Sequence, residues 1–122
     1  MGTLRRLRYH WEPCDCAWAQ MSDLEVCQHV ECIDVGSAEL HIIDTTTVEI
    51  VDFWIWPEMR GQGYGKKFLR YLLRELKAQG AEKVILHVEP ENGPAVRLYT
   101  GAGFVMKCTE LHLEMQLRKE VK

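Results

Sequence analysis

A chain of 122 residues can close one hydrophobic core without disulfide or metal support and is short for two domains. Its 47% hydrophobic and 27% charged residues are those of a soluble globular domain, and a formal charge of -3 argues against a nucleic-acid-binding surface. No apolar run is long enough to span a bilayer, and the basic start "LRRLRYH" has no apolar stretch behind it to act as a signal peptide, so a cytoplasmic protein without membrane contact is expected.

The first half reads as strands, at about 3–10, 24–34 and 37–43, with Gly36-Ser37 as the turn between the last two. The basic N-terminal run reads as a solvated strand edge. Residues 11–21, "WEPCDCAWAQM", have room for a short helix at most. Cys14, Cys16, Cys27, Cys32 and Cys108 are odd in number, which suits reduced thiols better than a disulfide framework. Cys14-x-Cys16 and Cys27-x-His29-x-x-Cys32 can be drawn together as a zinc site, but neither pair has the usual knuckle spacing. Buried thiols and no metal are therefore expected.

Residues 46–56, "TTVEIVDFWIW", are too apolar and β-branched for a half-exposed strand, and Pro57 stops them, so a central strand covered on both faces is predicted. In "KKFLRYLLRELKAQG" the residues Phe68, Leu69, Leu72, Leu73 and Leu76 share one helical stripe, with Lys67, Arg70, Arg74 and Lys77 opposite and Gly80 closing the helix. "KVILHV", 83–88, is a second buried strand, which makes a strand, helix, strand unit and hence a parallel pair with a right-handed crossover. "NGPAVRLYTGAGF" offers Asn92 or Gly93 as cap and Pro94 at the first helical position of a helix running to about Thr100. A hairpin of 104–108 and 111–118 completes a single α/β domain: a mixed, mostly antiparallel sheet with two main helices.

Between the central strand and the first helix stand Gly61, Gly63 and Gly65, followed at once by Lys66 and Lys67. Glycine lets a bulky ligand approach the backbone, and a helix N-terminus offers N–H groups and a dipole that favour an anion. A tight turn alone would not call for lysines, which oppose the dipole in a first turn at about 0.3 to 1 kcal/mol each; a polyphosphate would. A dinucleotide fingerprint needs glycine at Lys66, and a Walker loop needs glycine at Arg60 and a hydroxyl at Lys67, so neither is present.

Arg60-x-x-Gly63-x-Gly65 resembles the pyrophosphate loop of the GNAT superfamily of N-acetyltransferases, [Q/R]-x-x-G-x-[G/A]. The downstream "NGPAVRLYTGAGF" is similar to that family's N-x-x-A-x-x-L-Y-x-x-x-G-F through Asn92, Ala95, Leu98, Tyr99, Gly103 and Phe104. The resemblance covers roughly residues 46–118. The family usually places two helices between its first two strands, where this chain has only residues 11–21.

The resemblance implies acetyl-CoA held in a wedge between strands 46–56 and 83–88. Backbone N–H groups of Gln62, Gly63, Tyr64, Gly65 and Lys66 would take the pyrophosphate, with Gly61 in the same loop and Arg60 adding charge. Main-chain groups of Trp54, Ile55 and Trp56 would pair with the pantetheine arm and polarise the thioester carbonyl. Tyr99 stands where the family protonates the departing thiolate, and Asn92 would bond the pantetheine, cap the helix, or both. An amine must lose its proton before attack, and Glu49, at a spacing of some family bases, is the candidate, with His87, Glu89 or a water chain as substitutes. Glu49 pointing to solvent near the strand's start is the other reading. The implied activity is acetyl transfer to a primary amine, either a small molecule or a protein lysine or N-terminus. The short N-terminal half leaves room for a homodimer that completes the acceptor side, or for a CoA-binding module without turnover that acts through partner contacts.

Overall fold

The computed structural model describes residues 6–13, 27–106 and 112–117. Seven strands lie among them: β1 (Tyr9–Pro13), β2 (Cys27–Cys32), β3 (Gly36–Ile42), β4 (Thr47–Ile55), β5 (Lys83–His87), β6 (Val105–Met106) and β7 (His112–Gln116). Helix α1 (Tyr64–Ala78) lies between β4 and β5, and α2 (Gly93–Gly101) follows β5. The strands form one sheet in the order β1-β2-β3-β4-β5-β7-β6. Each described neighbour pair is antiparallel except β4 with β5, the two strands that α1 connects. This is the mixed sheet with a central parallel pair that the sequence predicts.

The core forms where the two periodicities meet. Val30, Ala38, Leu40, Val48, Ile50, Val84, Leu86 and Leu113 alternate along their strands and lie buried with Phe68, Leu69, Leu72 and Leu76 of α1. The helix ends at Gly80, whose φ of 101° lets its N–H reach Lys77 O while Ala81 N–H reaches Leu76 O. Aromatic contacts bind β1 to this helix: Tyr9 stacks on Tyr71 with centroids 3.5 Å apart, and Trp11 Nε1 donates to the Tyr71 hydroxyl at 2.7 Å.

Three expectations are corrected. The first strand spans Tyr9–Pro13: it begins after residues 6–8 and runs past the expected end at residue 10, because Tyr9 and Trp11 supply its inward alternation; Trp11, Glu12 and Pro13 are therefore strand, while residues 3–5 of the expected strand and the rest of the expected short helix lie outside the described residues. The turn between β2 and β3 sits at Ile33–Val35, where Asp34 takes a φ of 66°, and not at Gly36-Ser37. Gly36 instead opens β3, where a side chain would run into the Trp54 carbonyl. Finally, β4 is not covered on both faces throughout. Its register with β3 slips by one residue, from Leu40↔Ile50 to Glu39↔Asp52, which makes Val51 a β-bulge and leaves Val51 44% and Trp54 42% exposed.

Candidate active site

The bulge positions the site. The parallel pairing of β4 with β5 runs from Thr47↔Lys83 to Ile50↔Leu86 and stops there, one residue before Val51. Beyond it β4 keeps β3 as a neighbour through Asp52, Phe53, Trp54 and Ile55, while its other edge turns away from β5 and opens a cleft. The cleft has a volume of about 660 Å³ and is lined by Phe53, Ile55, Arg60, Gly65, Leu98 and Tyr99, among others. A smaller hollow of about 240 Å³ adjoins it, walled by Asp52, His87 and Glu89. Phe53, Asn92, Ala95 and Tyr99 border both, so the two form one continuous site.

At the mouth of the cleft, Pro57–Met59 makes a 3-10 turn and the glycine loop follows. Gly61 and Gly63 hold φ of 75° and 88°, the left-handed region that side chains disfavour, and Gly63 is the N-cap of α1. No side chain caps this helix, its first turn carries no acid, and Lys67 N–H donates back to Gly63 O at 3.2 Å. The start of α1 borders the cleft through Gly61 and Gly65, and the N–H groups of its first turn carry the positive end of the helix dipole. Gly65 packs between Ile55 and Leu98 and brings α1 close to α2. Lys66, Arg70 and Arg97 line a further hollow between the helices, a basic rim beside the glycine loop.

Arg60 braces this entrance: its Nε donates to Ile55 O at 2.8 Å and its guanidinium lies 4.4 Å from the centre of the Trp54 ring. Gln62 Nε2 donates to Glu58 O at 3.0 Å. Trp56 gives its N–H to Val35 O at 2.8 Å, so that group points back into the fold and not into the cleft. Tyr64 is buried in the core.

Tyr99 stands at the junction of the two hollows. Its ring is 8% exposed and meets Phe53 and Phe104 edge to face, and burial first, then the Asp52 charge, pushes its hydroxyl up to about 12 from an ordinary 10.0. Asn92 is the cap of α2, accepting from Ala95 N–H at 3.3 Å, with Gly93 and Pro94 in the first turn. Glu49 lies four residues before Phe53 on β4 and half-buried; its Oε2 is 3.2 Å from Nδ1 of His87 on β5. The glutamate therefore does not simply point to solvent. Two of the alternative bases drawn from sequence, Glu49 and His87, form one pair.

The structure thus brings Tyr99, Asn92, Trp54, Ile55, Arg60, Gly61 and Gly65 to one cleft; His87 lines the adjoining hollow, and Glu49 reaches it only through its contact with His87. Sequence reasoning missed Asp52, Val51 and, of the basic rim, Arg70 and Arg97, having drawn only Lys66. Val51-Asp52 carried a signal: continuing the alternation of Val48 and Ile50 inward would bury Asp52, and a one-residue slip avoids that cost. The zinc pairing drawn from sequence is not formed as drawn. Cys27 and Cys32 are an odd number of residues apart on β2 and face opposite sides of the sheet, and Cys14 and Cys16 lie outside the described residues.

Comparison with known proteins agrees with this geometry. Residues 5–104 match the model of the acetyltransferase (GNAT) family. The chain is 36% identical to a mycothiol acetyltransferase of Stackebrandtia nassauensis over 74 residues, which is 61% of this chain and 24% of that protein. It is 47% identical to the mycothiol acetyltransferase of Corynebacterium glutamicum (strain R) over 47 residues, 38% of this chain and 16% of that one. The matches span a quarter or less of these relatives. Among solved structures, a Bacillus subtilis acetyltransferase in complex with CoA superposes with a TM-score of 0.72 at 18% identity, covering 93% of this chain and all of that one. A GNAT family acetyltransferase from Elizabethkingia anophelis with acetyl-CoA bound gives 0.70 at 15% identity, covering 91% and 98%. With a cleft opened by a bulge in β4, an uncapped helix behind a glycine loop, and a family match over most of its length, the chain belongs to the GNAT acetyltransferase family.

Proposed function

We propose that this domain transfers an acetyl group from acetyl-CoA to a primary amine by direct attack. The observation that carries the reading is that Tyr99 and the α1 N-terminus open onto the same cleft, beside the edge of β4 that the Val51 bulge frees. The residues fit the cofactor. The first-turn N–H groups of α1 and the Gln62–Gly63 backbone would hold its pyrophosphate, Lys66, Arg70 and Arg97 its remaining anionic end, and the free edge of β4 at Phe53–Ile55 its amide-bearing arm. When bound it supplies an activated acyl thioester.

Within this reading Glu49, oriented by His87, takes the proton of the acceptor's ammonium, whose ordinary pKa is about 10.4. Tyr99 gives its Oη proton to the departing sulfur, and burial keeps that proton in place at any working pH. Asp52 and Glu89 give the acceptor hollow an acidic wall. The acceptor is a small-molecule amine or a protein lysine or N-terminus; a homodimer that completes its roof and a cytoplasmic location belong to the same proposal. Among the described residues no helix is long and apolar enough to cross a membrane.

The test pairs binding with turnover. Acetyl-CoA at a hundredfold excess over Kd is expected to stabilise the fold by about 2.7 kcal/mol, seen as a thermal shift, and a panel of amines and peptides to release thiol. No shift at millimolar acetyl-CoA would overturn the reading. A shift without turnover on any amine would leave a binding module that acts through partner contacts.

A further inference from the structure

The face of the sheet away from α1 carries a second group of chemistry-bearing side chains on β2 and β3, next to Glu49 and Asp52 of β4, which stand opposite His41 and Glu39. Cys27 of β2 sits directly opposite His41 of β3, and Glu39 is two residues along β3 on the same face. One ligand-capable atom from each, the Cys27 Sγ, a His41 ring nitrogen and a Glu39 carboxylate oxygen, lies within 4.8 Å of the other two. His41 Nε2 and Glu39 Oε2 are already 3.1 Å apart. Tetrahedral zinc with bonds of about 2.0 to 2.3 Å sets such ligand atoms about 3.3 to 3.6 Å apart, a spacing close to that of the His41–Glu39 pair and within reach of three atoms that all lie within 4.8 Å.

We infer that Cys27, Glu39 and His41 form a zinc site that clips β2 to β3 on the face of the sheet away from α1. The donor set argues for this ion: a thiolate and an imidazole with one carboxylate suit zinc over magnesium or calcium, which take oxygen alone. The burial argues for a built site. The Cys27 residue is 1% exposed and the His41 side chain 13%, and side chains so covered hold a fixed geometry without ordering cost. The site differs from the one drawn from sequence, since it takes Cys27 from β2 but two ligands from β3, with no Cys32. It departs from the expectation of a metal-free protein; His41 stands opposite Glu49 across β3 and β4, yet metal binding is read without any assay of acetyl transfer.

Cobalt(II) is the probe, because a thiolate ligand gives it an intense charge-transfer band that a site without sulfur lacks. Reduced, metal-free full-length protein is expected to bind one cobalt per chain with that band, and zinc to displace it. Cys27→Ser should abolish the band and His41→Gln weaken binding roughly tenfold or more, since even changes outside the ligand shell cost that much. A Cys14→Ser/Cys16→Ser double variant should keep the band. Circular dichroism melts of each variant show that it is folded. No stoichiometric cobalt on the wild type, or a band that survives Cys27→Ser or disappears with Cys14 and Cys16, would overturn the site.

Discussion

The hydroxyl of Tyr99 carries the sharpest chemical expectation. Burial in the junction of the two hollows raises its pKa to about 12, so the neutral phenol is the form that the fold holds. For an acid raised in this way the associated stability is complete below pH 10.0 and is lost as the pH climbs toward about 12. Tyr9 is raised to about 12 as well, chiefly by burial. Ultraviolet titration should therefore show late-ionising tyrosine, and Tyr99→Phe should remove part of that component. The same variant keeps the ring against Phe53 and Phe104, so it should bind acetyl-CoA nearly as well while losing roughly ten- to a thousandfold in turnover. Unchanged turnover would place the proton donor elsewhere. Glu49→Gln removes the base and keeps the shape; the rising limb of rate against pH should move upward, because the amine must then arrive neutral, while cofactor binding holds. If the limb stays put, His87, Glu89 or a water chain takes the proton. Tyr99 was legible in the sequence through the motif around it. The Glu49–His87 contact was not, because the residues stand 38 apart and only the strand pairing brings them together.

The glycine loop and the helix it opens form the next scale up, and here sequence and structure agree closely. Positive φ at Gly61 and Gly63, the missing side-chain cap and the cationic first turn all follow from residue types that can be read in order along the chain. Gly63→Glu puts a negative side chain at a backbone position that glycine alone adopts easily, beside the N–H groups that would meet a pyrophosphate. The thermal shift with acetyl-CoA should vanish while the protein remains folded, since the loop is exposed and Gly63 is outside the buried core. A surviving shift would move the ligand away from this helix terminus. Legibility fails one element earlier, in β4. Its apolar, β-branched run predicts a strand, and it is one, but composition does not say on which side a strand is covered. Coverage follows from the register, and the slip at Val51 decides it.

At the scale of the whole molecule the site depends on where one strand stops following its neighbour. The sheet is continuous from β1 to β6, yet its two halves meet through only the stretch of β4 and β5 from Thr47↔Lys83 to Ile50↔Leu86. A regular β4 would extend that pairing and close the cleft, since the edge of a strand bonds whatever lies beside it. The extra residue at Val51 kinks β4 and keeps its far half on β3, which frees the other edge over Phe53–Ile55. Deleting Val51 tests this directly. It leaves Ile50 and Phe53 facing the core and Asp52 facing out, so the hydrophobic pattern on each side of the deletion is preserved. The variant should therefore fold, with a cooperative melt and native far-ultraviolet circular dichroism. It should also lose the acetyl-CoA shift, because β4 can now run on beside β5 where the cofactor arm would lie. Hydrogen exchange should report the change in the same sample: the amides of Phe53 and Ile55, on the edge of β4 away from β3, gain protection. A folded variant that binds acetyl-CoA as the wild type does would show that the cleft is held open from its helix side, by Gly65 against Leu98, and not by the bulge.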